Sequence, residues 1–536
     1  MSTGTAKLTN FIRWGGLVGG PILAVAAYLL LPDKTATGGL TPEGKAAASI
    51  AVLMAVWWLT EALPISATAL VPIALFPLTG VLSIDATTSR YAHPLIFLFM
   101  GGFILGLGMQ RWGLHKRIAL LTIKLVGTRP TRLIAGFMLA TAVLSMFVSN
   151  TATAIMMLPI GASVIDLVRR RSEAKPADAA VFATCLMLAI AYASSIGGLG
   201  TLIGTPPNTV LAGYISDVYG RTIGFVEWMV LGVPLVAILL PITWIYLTRL
   251  AHPVRIGDLP GGRALIEKEL RDLGPLSRGE LTVMLVFFLA ASSWILRPQF
   301  AEIGQMLAWW EGLGIGPGDR GGGVWGWTPV AAWLLAPFAM LAQLSDTGIA
   351  IAAALALFAI PVEPKKRVFA IDWEQASQLP WGVLLLFGGG LALAQAISRT
   401  GVDVFIGSGF EALAGSPGII ITLLVAAVVI FLTELTSNTA VTSALLPVLG
   451  AAAIALGVEP HLLLVPATLA ASCAFMLPIA TPPNAVVFSS GAVTIGQMVK
   501  TGLWLNLIGI IVITAVITLT GDLLVPKALL GLGGEG

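Results

Sequence analysis

The stretch FVSNTATAIMMLPI, residues 147–160, sets a Ser-Asn-Thr triad at 149–151 among phenylalanine, valine, isoleucine, methionine and leucine. The stretch LTSNTAVTSALLPV, residues 435–448, sets the same triad at 437–439 in a similar apolar setting. In both stretches a proline follows ten residues after the triad serine. A single triad is ordinary, since serine and threonine are common where transmembrane helices pack. Two triads in the same arrangement indicate a duplicated functional feature.

The composition indicates that these segments are surrounded by lipid. Hydrophobic residues make up 57% of the chain and charged residues 11%, against about 25% charged in soluble domains. Many apolar runs reach the roughly 20 residues that cross the hydrocarbon core as a helix, and they lack the alternation of a membrane β-barrel. The two cysteines and four histidines have no disulfide or metal-ligand spacing. The sequence therefore predicts an all-α polytopic membrane protein.

About 11 transmembrane helices and two re-entrant hairpins account for the apolar runs. The first run is expected to be a retained helix, because no small-residue cleavage site closes it. Residues 114–126 are amphipathic and predict an interfacial helix. The predicted spans lie at 11–31, 47–63, 66–83, 94–110, 180–216, 224–247, 281–297, 348–361, 381–398, 461–490 and 501–525, and the hairpins at 133–168 and 417–456.

The distribution of lysine and arginine favours the two hairpins. With a cytoplasmic N-terminus and neither hairpin crossing, 22 of the 30 lysines and arginines fall on the cytoplasmic side. That is a strong positive-inside bias, and it collapses if either hairpin crosses, because everything after it changes side. We therefore expect each hairpin to enter and leave on one face, with its triad at the tip.

Ordered matches along the chain indicate an internal repeat. LFMGGF at 98–103 matches LFGGGL at 386–391 with an offset of 288 residues, the same offset as the triads. GTPPNTV at 204–210 matches ATPPNAV at 480–486 with an offset of 276. The shorter offset fits extra loop in the first half, at about 169–180. Since the two hairpins enter from opposite faces, the halves are inverted, as in many secondary transporters.

Each half also contains a helix broken by two prolines. Pro206 and Pro207 in the first half, and Pro482 and Pro483 in the second, remove amide donors and bar a regular helix. Unwound backbone exposes carbonyl oxygens that coordinate a cation, and helix N-termini favour an anion. Single prolines merely kink a helix, but the repeated order of triad and double proline predicts a binding site at the midplane.

Charge is scarce around these motifs. Both hairpin blocks and the blocks 180–216 and 461–490 contain no lysine or arginine, so bound cations are the expected partner of an anionic substrate. Glu434 has two interpretations, namely proton or cation coupling, or a partner for polar groups of the hairpin. Glu61 is expected to be structural. Asn506 lies outside the motifs, so its replacement by alanine should be mild.

The motifs SNTATAIMMLPI, GTPPN, TELTSNTA and ATPPNAV resemble those of the divalent anion/sodium symporter family, which carries dicarboxylates, citrate or sulfate. The resemblance extends over most of the chain, from about residue 47 to residue 525. The stretch 298–345 is longer than usual for the family, and its role stays open.

The resemblance implies a sodium-coupled symporter of di- or tricarboxylates such as succinate, malate, fumarate or citrate. It would be a homodimer in contact with membrane lipid, in a cell membrane such as the bacterial inner membrane. Sodium would be the coupling ion, with no other cofactor and no nucleic-acid partner. By the same resemblance, one sodium site would use Ser145, Ser149, Asn150 and Gly204, and the second Thr433, Thr436, Asn438 and Ala480. The substrate would meet Asn150, Thr151, Asn438, Thr439, Thr481 and Pro482.

The family also implies an elevator mechanism, in which a transport domain moves between the two faces of the membrane. Residues 1–132 would form scaffold helices and an interfacial arm helix, and 133–248 the first half of the transport domain. Residues 249–416 would form a cytoplasmic loop and the scaffold helices of the second repeat, and 417–536 the second half of the transport domain.

Other function classes fit the sequence less well. A sodium-independent dicarboxylate exchanger and a symporter of sulfate or another divalent anion remain alternatives within transporters. A channel more often has a ring of charges or carbonyls around a pore, and no such pattern is evident. An enzyme needs a nucleophile with a base, or a metal cluster, and the hairpins contain no histidine.

Overall fold

The computed structural model describes residues 3–35, 39–127, 129–171, 175–257, 262–312, 345–408, 415 and 417–524. Within these ranges the chain is helical almost throughout, with one small antiparallel sheet. The predicted mostly helical class is confirmed. Most of the stretch 298–345, including the apolar segment at 329–342, lies outside the described residues.

The first part of the chain runs from the N-terminal helix through the first triad to a polar loop. Its helices are α1 (Thr3–Leu30), α2 (Pro42–Thr60), α3 (Ile65–Thr68), α4 (Val71–Leu78), α5 (Ile84–Thr88), α6 (Pro94–Arg111), α7 (Leu114–Val126), α8 (Pro130–Ser145), α9 (Asn150–Arg171), α10 (Pro176–Gly198), α11 (Pro206–Tyr219), α12 (Phe225–Ile245) and α13 (Gly262–Asp272). A 3-10 turn lies at Ser89–Ala92, and a π-helical turn at Tyr246–Ala251 extends α12.

The second part contains the sheet and the second triad. Its helices are α14 (Arg278–Gly312), α15 (Asp346–Ala359), α16 (Trp373–Ala376), α17 (Trp381–Arg399), α18 (Val402–Ser408), α19 (Gly418–Thr433), α20 (Asn438–Leu456), α21 (His461–Ala471), α22 (Pro482–Ser489) and α23 (Ile495–Leu524). Strands β1 (Pro361–Glu363) and β2 (Val368–Phe369) pair antiparallel, with Pro361 opposite Phe369, around a 3-10 turn at Pro364–Lys366.

Both triads lie where two helices are interrupted. Residues 146–149, the first hairpin turn, separate α8 from α9, and residues 434–437, the second hairpin turn, separate α19 from α20. Residues 199–205, the first break, separate α10 from α11, and residues 472–481, the second break, separate α21 from α22. The two hairpin turns have the same length, and their separation along the chain is the predicted offset of the triads.

Nine helical segments among the described residues are long and apolar enough to cross a membrane. They include Asn150–Arg170 and Asn438–Leu456, the second helices of the two predicted hairpins. Length and composition do not distinguish a crossing helix from a re-entrant one. The count of 11 crossings and the inverted arrangement therefore stay predictions.

The predicted span at 66–83 is not one continuous helix. The segment forms two short helices, α3 and α4, with an interruption at Ala69 and Leu70. Pro72 has no amide hydrogen to bond to the turn before it, which weakens the helix here, and it lies in the first turn of α4, where proline needs no donor. Residues Ile65–Leu78 number 14, and a helix of that length covers about 21 Å, short of the roughly 30 Å core.

One compact unit comprises the described parts of Met1–Ile96, Gly113–Pro275 and Gln378–Gly536. It contains both hairpin turns and both breaks. Within it, Arg90 Nη1 lies 2.6 Å from Asp217 Oδ1, and Arg90 Nε donates to Gln395 Oε1 at 2.9 Å. These bonds fix the C-terminal end of α11, the helix after the first break, beside α17.

A second compact unit comprises the described parts of Phe97–Trp112 and Leu276–Ser377. Its hydrogen bonds tie the end of α6 to the segment after β2, since Trp112 Nε1 donates to the Ala370 carbonyl at 2.7 Å and Arg111 Nη1 lies 3.0 Å from Asp372 Oδ2. None of the predicted site residues lies in this unit.

Candidate cation and substrate site

Three oxygen atoms converge beside the first hairpin turn. Ser145 Oγ lies 2.6 Å from Asn150 Oδ1 and 2.6 Å from the carbonyl oxygen of Ser194 in α10. A hydroxyl has one proton, and the other two atoms are acceptors. The proton can satisfy only one of them at a time, so the cluster is rich in lone pairs. A dehydrated cation with a preference for oxygen ligands fits such a cluster.

The second hairpin turn has the same cluster. Thr433 Oγ1 lies 2.7 Å from Asn438 Oδ1 and 3.0 Å from the carbonyl oxygen of Ala471, the last residue of α21. Thr433 and Asn438 follow Ser145 and Asn150 at the same offset that separates the two triads. The hydroxyl and the amide oxygen thus come from equivalent positions of the two halves, and each pair meets a backbone carbonyl from near the end of α10 or α21. The carbonyls of Ser194 and Ala471 are separated by one residue more than the TPPN motifs are.

Glycines allow the first cluster to form against the first break. A Cβ atom on Gly198 would lie 2.5 Å from Asn150 Oδ1, so only glycine lets the amide approach the end of α10 this closely. A Cβ on Gly204 would in turn lie 3.0 Å from the Gly198 Cα. Asn150 and Gly204, both predicted for the first sodium site, therefore flank the same glycine.

A buried asparagine braces each break in the same way. Asn208 Nδ2 donates to the carbonyls of Gly198 at 3.1 Å and Thr201 at 2.8 Å. In the second half, Asn484 Nδ2 donates to the carbonyls of Ala474 at 3.2 Å and Leu477 at 3.0 Å. Every partner is shifted along the chain by the same interval as the TPPN motifs themselves. The asparagine of each TPPN motif thus holds the unwound backbone, and neither motif is a random kink.

The threonine of each TPPN motif starts the helix after the break. Thr205 and Thr481 have nearly the same extended backbone, with φ of −143° and −140°. Thr481 Oγ1 also accepts a hydrogen bond from the Asn484 amide at 3.4 Å. Pro206 and Pro482 follow at the first helical position, where proline needs no donor. These N-termini have the partial positive charge that favours an anion.

The other predicted residues are less tightly joined. Ser149 Oγ accepts a hydrogen bond from the Ala152 amide at 3.3 Å and so caps α9. Thr436 Oγ1 donates to the Trp58 carbonyl at 3.3 Å, and the Ala480 amide donates to Leu477 within the second break. The described hydrogen bonds do not join Thr436 or Ala480 to the Asn438 cluster.

The predicted substrate residues differ in their exposure. Thr439 is 8% exposed and lines a cavity of about 610 Å³ together with Ser437. Thr481 is buried, whereas Pro482 is exposed and Thr151 is half-buried. The assignment of all these residues to substrate and sodium stays a prediction.

Glu434 has a structural partner for each carboxylate oxygen. Oε1 accepts hydrogen bonds from the amides of Phe475 at 2.6 Å and Met476 at 2.8 Å, and Oε2 accepts one from Leu477 at 3.0 Å. Asn506 Nδ2 in α23 donates to Oε1 at 2.8 Å. These contacts favour the second interpretation of Glu434, since they anchor the second break to the second hairpin turn. The equivalent position in the first half is Met146.

The contacts of Asn506 contradict its expected independence from the motifs. Its side chain is fully buried and bonds to Glu434, the first residue of the second hairpin turn. It is therefore not a neutral control. The sequence analysis also missed the carbonyls of Ser194 and Ala471, because a backbone carbonyl leaves no residue-type signal. The repeat offset was the one signal that could have drawn attention to the ends of α10 and α21.

Within the described parts of the chain, no group of three or more histidine, cysteine, aspartate and glutamate side chains could hold a metal ion. The candidate cation clusters consist of neutral oxygens, which suit a monovalent cation such as sodium better than a transition metal.

Comparison with known proteins gives consistent matches. Residues 18–526 match the family described as "Sodium:sulfate symporter transmembrane region". The sodium-dependent dicarboxylate transporter SdcS of Staphylococcus saprophyticus is 42% identical over 515 residues, which cover 95% of this chain and 92% of that protein. SdcS of Staphylococcus aureus is 42% identical over 505 residues, which cover 94% and 90%.

Among solved structures, MtrF of Neisseria gonorrhoeae aligns with a TM-score of 0.49 at 13% sequence identity. The alignment covers 95% of this chain and 93% of MtrF. At this similarity the two proteins need not share a fold.

Proposed function

Because the chain belongs to the sodium:sulfate symporter family, we propose that it is a secondary transporter that couples sodium to the uptake of a di- or tricarboxylate. The relatives that match over nine-tenths of their length are named sodium-dependent dicarboxylate transporters. The observation that carries the proposal is the repeated oxygen cluster at Asn150 and Asn438. A transporter uses such paired sites, and an enzyme has no evident need for them.

Two sodium ions bind to the protein, one in each half of the repeat. The first is held by Ser145, Ser149, Asn150 and Gly204, and the second by Thr433, Thr436, Asn438 and Ala480. We add the carbonyl oxygens of Ser194 and Ala471 as ligands, because each lies within 3.0 Å of the hydroxyl in its cluster. All of these ligands are neutral, so each bound ion adds a full positive charge to the site.

That charge is what an anionic substrate requires. The four blocks that contain the site have no lysine or arginine, and a helix N-terminus supplies only about half a charge. The substrate carboxylates meet the side chains of Asn150, Thr151, Asn438, Thr439 and Thr481 and the start of α22 at Pro482. Sodium and substrate then bind cooperatively, because each reduces the electrostatic cost of burying the other.

Transport proceeds by an elevator movement in a homodimer embedded in the cell membrane. Residues 133–248 and 417–536, which contain the two hairpins and the two broken helices, form the moving domain, and the scaffold helices lie within 1–132 and 249–416. The N-terminus is cytoplasmic, as the bias of lysine and arginine favours. Alternating access around one central site is what an inverted repeat permits.

Uptake into proteoliposomes tests this function. We expect radiolabelled succinate to accumulate under an inward sodium gradient and not under an equal choline gradient. Unlabelled malate, fumarate, citrate and sulfate, added as competitors, rank the anions by affinity. Accumulation driven by internal dicarboxylate without sodium would instead favour the exchanger, and competition by sulfate alone would favour a sulfate symporter.

A further inference from the structure

An ion pair lies on the wall of the cavity that reaches the second hairpin turn. Arg13 Nη2 of α1 lies 2.9 Å from Glu61 Oε2, and the two side chains are 48% and 39% exposed. Both line the cavity of about 610 Å³ that also contacts Ser437 and Thr439. Among the described residues that line it, Arg13 is the one cation and Glu61 the one anion.

Glu61 occupies a position that disfavours its residue type. It follows the last residue of α2 in the left-handed region, with φ of 47° and ψ of 37°, where glycine or asparagine is usual. A carboxylate at a helix C-terminus also faces the negative end of the helix dipole. The left-handed backbone and the unfavourable charge both cost free energy at Glu61, which indicates that its side chain has a function.

The end of α2 is joined to the proposed second sodium site. Thr436 Oγ1 donates to the Trp58 carbonyl at 3.3 Å, and Trp58 Nε1 donates to the Ile65 carbonyl at 3.2 Å. Ile65 is itself part of the cavity wall. The first bond joins the end of α2 to the second hairpin turn, and the second closes the segment from Trp58 to Ile65 that carries Glu61.

We propose that Arg13 is a transient binding site for the dicarboxylate, between the second half of the site and one face of the membrane. Glu61 competes with the substrate for the Arg13 guanidinium. This inference rests on the proposed function. An anion that leaves the neutral site through the cavity meets no other fixed cation on its described wall. The arginine has five N–H donors, so it can bind a substrate carboxylate while it still contacts Glu61.

Glu61 sets how long the anion stays. A free arginine beside the path would hold the dianion and delay its passage, whereas a paired arginine attracts it more weakly. The charge distribution favours a cytoplasmic N-terminus for α1, so Arg13 acts on substrate at the cytoplasmic face. Since both side chains are partly exposed, the effect should be modest and weakened by salt.

Vesicles of opposite orientation test this asymmetry. Initial succinate uptake at constant saturating sodium gives KM at the outer face in right-side-out vesicles and at the cytoplasmic face in inverted ones. We expect Arg13→Gln to raise KM roughly two- to fivefold, the range for exposed charge pairs, in inverted vesicles only. Glu61→Gln should lower that KM, and Arg13→Lys should keep most of the parent value.

Two further measurements separate this role from a structural one. The double variant Arg13→Gln/Glu61→Gln should match Arg13→Gln alone, since Glu61 acts through Arg13. The difference between parent and Arg13→Gln should shrink as choline chloride is raised, because salt screens exposed charges.

The outcomes are distinct. Three results would overturn this inference alone, provided that the parent takes up succinate. They are an unchanged KM for Arg13→Gln in inverted vesicles, an equal shift of KM at both faces, and a shift of KM that salt does not reduce. No sodium-driven uptake of succinate, malate, fumarate or citrate by the parent in either orientation would overturn the proposed function, and this inference with it.

Discussion

Replacing Asn438 with alanine should weaken sodium and succinate binding together, and to about the same extent as replacing Asn150. Each side-chain oxygen belongs to a cluster with a hydroxyl at 2.6 or 2.7 Å. Loss of a ligand to a buried charge costs about 1–3 kcal/mol, and tenfold in affinity corresponds to about 1.4 kcal/mol. We therefore expect losses of roughly tenfold in each affinity, measured from initial uptake at several sodium concentrations.

A surface amide provides the control for the two asparagine variants. Gln497 lies exposed in the first turn of α23, and its side chain accepts hydrogen bonds from the amide and the hydroxyl of Thr494, so Gln497→Ala should leave both affinities unchanged. All variants must first match the parent in membrane insertion. Normal transport by Asn438→Ala would mean that the second triad is packing, and that the two-cluster site is wrong.

The second large effect is expected at Glu434. Glu434→Ala should lower the thermal unfolding temperature and abolish uptake, because it leaves the buried amide of Phe475 and the partly buried amides of Met476 and Leu477 without an acceptor. Each unpaired buried group costs about 1–3 kcal/mol. Glu434→Gln should have a smaller effect, because the glutamine side chain keeps one oxygen acceptor. Its NH2 group, however, would face a backbone N–H group, which is also a donor.

Asp166 supplies a matched carboxylate control for Glu434. Its side chain is 55% exposed and pairs with Arg170 on the surface of α9, so Asp166→Asn should change neither unfolding nor uptake. Asn506→Ala removes one of four donors to Glu434 and should fall between the control and Glu434→Gln. If Glu434→Gln unfolds and transports like the parent, the carboxylate does not anchor the second break.

Several features of the fold could be predicted because residue type determines them locally. Proline at the start of α8, α11 and α22 sets helix starts, and the repeated Ser-Asn-Thr triads coincide with interruptions of the helices. The ordered spacing of the matching motifs predicted a duplicated unit, and the hydrogen bonds of Asn208 and Asn484 repeat at the interval of the TPPN motifs. The predicted span at 66–83 is interrupted before Pro72, and hydropathy alone does not detect such a break.

Features that depend on distant contacts could not be predicted. The carbonyls of Ser194 and Ala471 enter the clusters through tertiary packing, since they lie 49 and 38 residues from the hydroxyls they contact. The bond between Glu434 and Asn506 joins positions 72 residues apart. Apart from the repeat offset, no periodicity or spacing in the sequence indicates such pairs, because tertiary packing brings them together.

The linkage between sodium and dicarboxylate tests the central claim most directly, that two sodium clusters and one substrate share a site. The measurement is the Kd of succinate for the purified protein in choline and in saturating sodium, and the Kd of sodium with and without succinate. We expect sodium to tighten succinate binding by about 5–150-fold, and succinate to tighten sodium binding by the same factor. An identical succinate Kd in choline and in sodium would contradict the account.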